Sequence, residues 1–266
     1  MIVDAAAVAE VVEAVAHQEL MGRFRRLGTG EVWEKAPGDL VTAADVAAEA
    51  RLAAELVPLV PGSAFVGEES TAAGAGLGAL GGDRPVWIVD PLDGTANFVR
   101  GDERFCVMVA LAERGRLVAS WLCAPALGLT GSAVAGRGAV VNGRPGAVAP
   151  AGPAPLRVVV SDPAYQSDED RARIAALAGE GVPTYSCGGV GVVYLELAQG
   201  RHDGAVFGWT TVWDHAAGLL LHKESGGWSR TGDGSGFEVG AANAVPLVLA
   251  PTAELGDRLL RAVTAR

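Results

Sequence analysis

The chain has 266 residues, of which half are apolar and a fifth are charged, a composition typical of a soluble globular protein with a sizeable core. Acidic residues outnumber basic ones, and the formal net charge of −10 argues against a large surface for nucleic acid. The length suits one large domain or two packed halves.

The three cysteines, Cys106, Cys123 and Cys187, lie far apart and include no close pair of the kind that binds metals. Small buried thiols in a reducing compartment are the expected interpretation. The amino terminus lacks the basic start and apolar core of a signal peptide. The uncharged stretch 117–136 is long enough for a membrane span, but its proline and glycines favour two strands around a turn. We therefore expect a cytoplasmic protein without a membrane partner.

In chain order, apolar residues at helical spacing from Val3 to Leu27 predict an amphipathic helix. Gly28 to Gly38 mixes glycine, proline and charge, and we expect a loop there. Thr42 is a candidate N-cap for a helix that runs to about Leu59. Short strands are predicted at 63–66 and 86–89, with a mobile loop at 71–82 between them. Beyond Phe98, strands separated by turns predict an antiparallel sheet over 105–111, 116–121, 127–135 and 138–141.

The Pro- and Ala-rich stretch Val148–Pro155 is the candidate boundary between an N-terminal half, residues 1–150, and a C-terminal half, residues 151–266. In the second half, strands and helices alternate, which favours a layered α/β arrangement. The predicted strands are 156–161, 184–187, 204–207 and 245–250, and the predicted helices are 168–178, 190–198, 213–224 and 254–265.

The most distinctive stretch runs from Val86 to Phe98 and joins a buried strand to two carboxylates. Asp90 ends the apolar run, and Pro91 holds it in an extended conformation. Asp93 follows on a tight Asp-Gly-Thr turn, after which backbone N–H groups open a helix. Carboxylates suit a hard divalent cation, and helix N–H groups suit a phosphate. An Asp-capped turn that merely ends a core strand is the alternative interpretation.

Three further motifs carry acidic side chains, and in order they are Asp39–Asp45, Gly67–Ser70 and Trp213–Gly218. Glu68 and Glu69 follow a short strand, where a surface acidic pair is the alternative to a metal site. Together with residues 90–95, these motifs resemble the inositol monophosphatase family, whose members are lithium-sensitive, magnesium-dependent phosphomonoesterases. The resemblance extends from about Glu34 to Gly227, which is nearly the whole chain.

The resemblance implies a layered αβαβα sandwich, an α+β or α/β fold of the inositol monophosphatase and fructose-bisphosphatase type. It also implies two to three Mg²⁺ ions, whose ligands would be Glu68, Asp90, the carbonyl of Leu92, Asp93 and Asp214. Such ions neutralise phosphate oxygens, acidify the attacking water and stabilise the leaving alkoxide. The N–H groups of Gly94 and Thr95 would bind phosphate oxygens.

By the same resemblance, Thr95 orients the attacking water and Asp45 holds Thr95 in place. Asp45 also stands where the carboxylate of a capping box would stand, so helix capping is the alternative role. Lys35 is the candidate for a lysine that the family carries near the metal site, and its role is left open. No Ser, Cys or His nucleophile is required, so we expect no phosphoenzyme.

An ungapped count back from Trp213–Asp214 matches Gly188, Val190 and Phe207 to the substrate wall of the family. Phe207 then stands where inositol-specific relatives carry a glutamate that accepts hydrogen bonds from ring hydroxyls. Because a phenyl ring cannot accept them, we expect weak discrimination or a preference for a leaving group with an apolar or aromatic face. If a gap shifts the register, Phe207 is simply a core residue of a strand.

The resulting hypothesis is a homodimeric, magnesium-dependent phosphatase of a small phosphate monoester similar to inositol 1-phosphate. Histidinol phosphate, a sugar phosphate and a 3′-phosphonucleotide are alternative substrates. A catalytically idle interaction protein on the same fold is the competing class, since some relatives act in transcription complexes. The complete acidic set and the threonine favour the enzyme, and the acidic net charge disfavours an RNA partner.

Overall fold

A small hairpin and two larger sheets contain the strands of the computed structural model, which describes residues 3–149 and 155–265. The hairpin consists of β1 (Val32–Ala36) and β2 (Asp39–Thr42). The first sheet consists, in spatial order, of β3 (Ala64–Gly67), β4 (Val86–Asp93), β5 (Cys106–Glu113), β6 (Arg116–Ala124), β7 (Leu129–Val134), β8 (Gly138–Val141) and β9 (Arg144–Pro145). The second consists of β10 (Val158–Val160), β11 (Thr184–Ser186), β12 (Gly204–Phe207), β13 (Trp228–Arg230) and β14 (Leu247–Ala250), and its spatial order is β11-β10-β12-β14-β13.

The α-helices cover the faces of these two sheets. They are α1 (Ala5–Val15), α2 (Ala43–Leu56), α3 (Glu68–Ala72), α4 (Thr95–Arg100), α5 (Asp168–Gly179), α6 (Val190–Leu197), α7 (Val212–Glu224) and α8 (Ala253–Thr264). Within the described part of the chain, no helix has both the length and the apolar character that crossing a membrane requires.

Strand β4 of the first sheet is buried on both faces, and its residues pack into two different layers because successive side chains of a strand point in opposite directions. Trp87 and Val89 of β4 pack with α1 and α2, whereas Ile88 packs with α6 and α7. Helix α6 is buried at every position, as expected for a helix between two sheets. The second sheet turns Phe207 toward this central layer and Val206 toward α5 and α8. The predicted αβαβα order is therefore confirmed.

The amino-terminal helix is shorter than predicted. Helix α1 is capped by Asp4, whose carboxylate accepts hydrogen bonds from the N–H groups of Ala6 and Ala7 at 3.0 and 3.1 Å. After Val15 the chain continues as a π-helix over Ala16–Met21 and does not run on to Leu27. Gly22 follows directly, and the low helix propensity of glycine favours termination there.

The prediction of a loop over Gly28–Gly38 is wrong, because most of this segment belongs to the β1–β2 hairpin. Its turn is Pro37-Gly38, in which Gly38 has a φ of +82°. Proline followed by a glycine of positive φ is typical of a type II turn. The hairpin forms a sheet of its own at the protein surface, so its strands tolerate the charged residues Glu34 and Lys35. These charges hid the strand pattern in the sequence.

The strand–helix alternation predicted for the second half is confirmed, but the sequence reading missed the short strands β9 and β13. The predicted boundary Val148–Pro155 includes residues 150–154, which lie outside the described residues. A division at 150/151 stays a prediction.

Helix α7 belongs to the second half by sequence but packs against β4, β5 and β6 of the first sheet.

The three cysteines are buried and form no disulfide with one another, as predicted. Burial raises the pKa of the Cys123 and Cys187 thiols to about 12. Thiols that stay protonated are poor nucleophiles, which fits a structural role.

His222 connects α7 to the second sheet. Its Nε2 lies 3.1 Å from the carbonyl oxygens of both Trp228 and Ala250, which belong to β13 and β14. The ring is buried, and burial lowers the pKa of His222 to about 4. A Cβ added to Gly227 would lie 2.3 Å from Nε2, so the loop after α7 leaves no room for the ring to move aside. The folded protein therefore keeps this imidazole neutral.

We predict that His222 makes the protein less stable as the pH falls from about 6.5 to about 4. In that range the His222 imidazole binds a proton in the unfolded chain but not in the folded protein. The free energy of unfolding therefore decreases, by up to about 3 kcal/mol. His222→Gln keeps an N–H donor but does not titrate, and it should flatten this part of the curve in urea denaturation. His17→Gln, at an exposed position, is the control. Equal pH slopes for wild type and His222→Gln would contradict the prediction.

Candidate active site

Acidic side chains from three elements meet at one edge of the first sheet. Strands β3 and β4 run parallel with Gly67 opposite Val89, so Glu68 and Asp90 follow at neighbouring positions. The β4–β5 pairing is irregular between Asp90 and Asp93, so the segment that carries these two carboxylates departs from the regular alternation of side chains in a strand. Asp214 lies in the first turn of α7. We call these four residues (Glu68, Asp90, Asp93 and Asp214) the carboxylate cluster.

The carboxylate cluster concentrates negative charge in a poorly hydrated place. Burial raises the pKa of Asp90 well above its usual range, and the charges of the other three members raise it further. The pKa of Asp214 is raised in the same direction, again first by burial. Burial also raises the pKa of Asp93 to about 6, although two backbone N–H groups oppose the shift. A bound positive charge would relieve this repulsion.

Each member of the cluster has a protein partner. Asp90 accepts from the N–H of Leu92 at 2.9 Å, and Asp214 accepts from the indole N–H of Trp209 at 2.6 Å. Asp93 accepts from the first N–H groups of α6, those of Val190 and Gly191, at 3.2 and 2.8 Å. Among the described residues, no three His, Cys, Asp or Glu side chains form a group that could hold a metal ion. In this conformation the cluster surrounds the cleft without converging on one point.

The chemistry of the cluster nevertheless fits a hard divalent cation. Its donors are carboxylate oxygens, with the carbonyl of Leu92 beside them, and such oxygens are the ligands that Mg²⁺ takes in proteins. The cluster members are buried or partly buried, and the pKa values of Asp90 and Asp214 are raised first by burial and then by neighbouring negative charge, which a cation would offset.

Lys35, whose role the sequence left open, reaches the cluster from the hairpin. Its Nζ lies 2.6 Å from a carboxylate oxygen of Glu68 and 2.9 Å from one of Glu69. Burial lowers the pKa of Lys35, but the two glutamates outweigh burial and raise it overall. The ammonium group therefore stays charged and balances part of the negative charge at this end of the cleft.

Asp45 makes contacts that fit both roles considered for it, although its catalytic role stays a prediction. One carboxylate oxygen, Oδ2, accepts from the backbone N–H and the hydroxyl of Thr42 at 2.8 and 2.5 Å, which forms the capping box of α2. The other, Oδ1, lies 3.0 Å from the hydroxyl of Thr95. That hydroxyl is also 3.0 Å from the carbonyl of Leu92, so its single proton can go to either acceptor. Burial raises the pKa of Asp45 to about 6, against the hydrogen bonds from the threonines.

A cleft of about 530 Å³ opens beside the cluster. The predicted site residues that line it are Glu68, Asp90, Leu92, Asp93, Gly94, Thr95, Gly188, Val190 and Asp214. Asp45 lies behind Thr95 and contacts the site through it. Sequence positions that are far apart are thus brought to one cavity, whereas their individual roles stay predictions.

Phe207 is the exception, and its predicted place on the substrate wall is corrected. Its side chain is fully buried and does not line the cleft. The ring packs 6.1 Å from Tyr194, 5.5 Å from Trp209 and 5.3 Å from His215, measured between centroids. Phe207 is the last residue of the apolar strand β12, and its side chain faces the central layer.

The sequence reading missed several residues that line the cleft, namely Arg100, Asp162, Tyr165 and Trp209. Trp209 follows the end of β12, where the chain leaves the core. A large aromatic residue just beyond an apolar strand was the available signal for it. Tyr165 lies at the end of a short 3₁₀ turn, Pro163–Tyr165, and is 57% exposed. Only its position after a predicted strand hinted at the cleft.

Comparison with known proteins agrees with this geometry. The sequence model of the inositol monophosphatase family matches residues 3–265. An inositol-1-monophosphatase of Rhizobium meliloti is 33% identical over 260 residues, which cover 88% of this chain and 89% of that protein. A protein named Nus factor SuhB from Pseudomonas aeruginosa is 34% identical over 215 residues, which cover 77% of this chain and 76% of that protein.

Solved structures match the whole fold. The extragenic suppressor protein suhB of Bartonella henselae superposes with a TM-score of 0.81 at 26% identity, covering 97% of this chain and 99% of that one. The IMPase of Thermotoga maritima superposes with a TM-score of 0.80 at 26% identity, covering 96% and 94%. With its carboxylate cluster, its layered fold and a family match over nearly its full length, the chain belongs to the inositol monophosphatase family of phosphatases.

Proposed function

We propose that the protein is a magnesium-dependent phosphomonoesterase that hydrolyses a small phosphate ester with an activated water. The observation that carries this proposal is the carboxylate cluster, which faces the same cleft as the Thr95 hydroxyl. Buried carboxylates that repel one another are unfavourable without a cation, and a phosphate ester needs cations to offset its own charge.

The proposed roles of the site residues are ion binding and phosphate binding. Glu68, Asp90 and the carbonyl of Leu92 would hold one ion, and Asp90 with Asp93 and Asp214 a second. The ions supply neutralisation of the phosphate oxygens, a more acidic water and a stabilised leaving alkoxide. The turn at Gly94 presents backbone N–H groups to the phosphate.

Thr95 orients the attacking water in this proposal. Its hydroxyl can donate to Asp45 and accept a hydrogen bond from water with its lone pairs, which aims the water toward phosphorus. Asp45 is itself held by Thr42, so this acceptor is in place before substrate binds. A homodimer and inhibition by Li⁺, which the family resemblance implies, stay predictions.

An interaction protein without catalytic activity is the competing function, because relatives named Nus factor SuhB are among the similar proteins. The complete carboxylate cluster and the part-buried hydrogen bond between Asp45 and Thr95 favour the enzyme, since neither is needed on an interaction surface. Measurement of Mg²⁺-dependent phosphate release by the purified protein decides between the two.

We predict that Asp90→Asn lowers kcat by at least about a thousandfold, equal to roughly 4 kcal/mol of transition-state stabilisation. Asp90 is the member shared by both proposed ion sites. Without metal, the melting temperature should stay level or rise, because the substitution removes a charge that three neighbours repel.

The control for this prediction is Asp83→Asn, which removes an exposed carboxylate outside the cleft and should leave both quantities unchanged. If Asp90→Asn retains near wild-type turnover at saturating Mg²⁺, Asp90 does not belong to the site.

We predict that Thr95→Ala lowers kcat by about a hundredfold or more, whereas Thr95→Ser restores most of the loss, since serine keeps the hydroxyl. Binding of Mn²⁺ alone, followed by calorimetry, should be equal in both variants because the hydroxyl is not among the proposed ligands. Equal rates for the alanine and serine variants would remove the hydroxyl from the mechanism.

The aromatic lining of the cleft favours a leaving group with a flat ring over a bare polyol. Trp209 and Tyr165 offer aromatic faces, and Asp162 offers a carboxylate that can accept from an N–H or ammonium group. Trp209 is held in place through its hydrogen bond to Asp214. This combination suits an imidazole-bearing ester such as histidinol phosphate better than inositol 1-phosphate.

We predict that catalytic efficiency on histidinol phosphate exceeds that on inositol 1-phosphate, and that Tyr165→Ala reduces this preference by about threefold to tenfold through loss of one stacking face. Tyr185→Ala, which removes a ring of comparable exposure (49% against 57% for Tyr165) outside the cleft, should leave the preference unchanged. A wild-type preference for inositol 1-phosphate of more than about a hundredfold, roughly 3 kcal/mol, would overturn this assignment.

A further inference from the structure

The turn Gly188–Gly189 joins the substrate wall to the carboxylate cluster. It precedes α6, which has no side-chain cap from its N-cap residue Gly189. The N–H groups of Val190 and Gly191 donate instead to the carboxylate of Asp93, at 3.2 and 2.8 Å. A proposed metal ligand on β4 therefore fixes the first turn of a helix from the other half of the chain.

Arg104 fills the space behind this turn. A Cβ added to Gly188 would lie 2.4 Å from its Nε, and a Cβ added to Gly189 would lie 2.8 Å from its carbonyl oxygen. A Cβ added to Gly94 would lie 2.8 Å from the same oxygen. Arg104 therefore lies between the turn at Gly94 and the turn Gly188–Gly189. Only glycine at these positions leaves enough space for it.

The guanidinium of Arg104 is held by α6. It donates two parallel hydrogen bonds to Glu196, at 3.1 and 2.9 Å, and the glutamate side chain is only 11% exposed. The Nε2 of His202 lies 2.9 Å from the same carboxylate. Burial alone would raise the pKa of Glu196, but the hydrogen bonds from His202 and Arg104 lower it to about 2. A paired, charged fork of this kind is both strong and directional.

Asn97 in α4 contacts both Arg104 and the Gly188–Gly189 turn. Its amide donates to the carbonyl oxygen of Arg104 at 2.8 Å and to that of Gly188. Asn97 lies two residues after Thr95 in α4, so the helix that carries the catalytic hydroxyl also holds the wall turn.

We propose that Arg104 is a positioning residue, which with Glu196 and Asn97 holds the Gly188–Gly189 wall and the start of α6 at a fixed distance from the carboxylate cluster. The proposal rests on the proposed function for its kinetic part. Arg104 does not line the cleft, so it acts through the turn that it supports. Loosening this turn should weaken substrate binding more than it slows the chemical step.

The test compares Arg104→Ala with Arg157→Ala in the full-length protein. Arg157 is a matched control, because it donates to the buried carboxylate of Asp203 at 3.1 Å in an ion pair that lies outside the cleft. Both substitutions should lower the melting temperature. Only Arg104→Ala should raise KM for a phosphate ester by about tenfold or more, with kcat lowered by less than about threefold.

Two readouts do not depend on turnover. In Arg104→Ala, amide hydrogen exchange over residues 188–191 should accelerate by about tenfold or more, and the Kd for Mn²⁺ alone should rise by about threefold or more, since Asp93 loses its fixed orientation. Arg104→Lys should behave like the alanine variant in both, because an ammonium group cannot make the paired hydrogen bonds.

A double-mutant cycle identifies the partner. If Arg104 acts through Glu196, the variant Arg104→Ala/Glu196→Gln should have the same KM as Arg104→Ala alone. The proposal is overturned if KM, Mn²⁺ affinity and local exchange in Arg104→Ala stay within about twofold of Arg157→Ala. If the wild-type protein hydrolyses no phosphate ester, the proposed function fails, while the exchange and Mn²⁺ measurements still decide the role of Arg104.

Discussion

The crowding of like charges at the end of β4 is the interaction on which the rest of the structure depends. Four carboxylates line one cleft, and burial disfavours the ionised forms of Asp90, Asp93 and Asp214. The protein offsets this repulsion with neighbouring groups that donate hydrogen bonds or carry positive charge. Lys35 neutralises the Glu68 side, the indole of Trp209 donates to Asp214, and the first turn of α6 donates to Asp93. Each of these three interactions also holds a segment beside the cleft in place. The contacts that balance the negative charge therefore also shape the site.

Several side chains in the site do two structural tasks at once. Asp45 caps α2 with one oxygen and holds Thr95 with the other, while Asp93 faces the cleft and caps α6. Such sharing restricts substitution more than either task alone would. It also explains why elements distant in sequence meet with little freedom, since the interactions that assemble the site are the ones that pack the layers.

The sequence predicted the parts of the site that depend on local chemistry. The Asp90–Thr95 turn could be read directly because a buried strand, a proline and a glycine turn follow one another. Phe207 could not be placed, because an ungapped count fixes the position along the chain but not the face of β12 to which the side chain turns. Trp209, two residues later, leaves the strand and reaches the cleft. The Lys35 hairpin was missed because strands at the surface lack the apolar alternation that marks a buried strand. The network around Arg104 joins residues with no shared motif, and only their proximity in space reveals it.

The packing of α7 on the first sheet has a consequence for how the protein is made. Strands β3 to β8 precede α6 and α7 in the chain, yet these helices cover one of their faces. During synthesis on the ribosome, an apolar sheet face therefore remains open to solvent until the chain has been extended through Glu224. A nascent chain in this state is exposed to aggregation and is a natural client for chaperones. The last proposed metal ligand along the sequence, Asp214, lies on the same helix that covers this face, so the acidic cleft is completed when the core becomes protected.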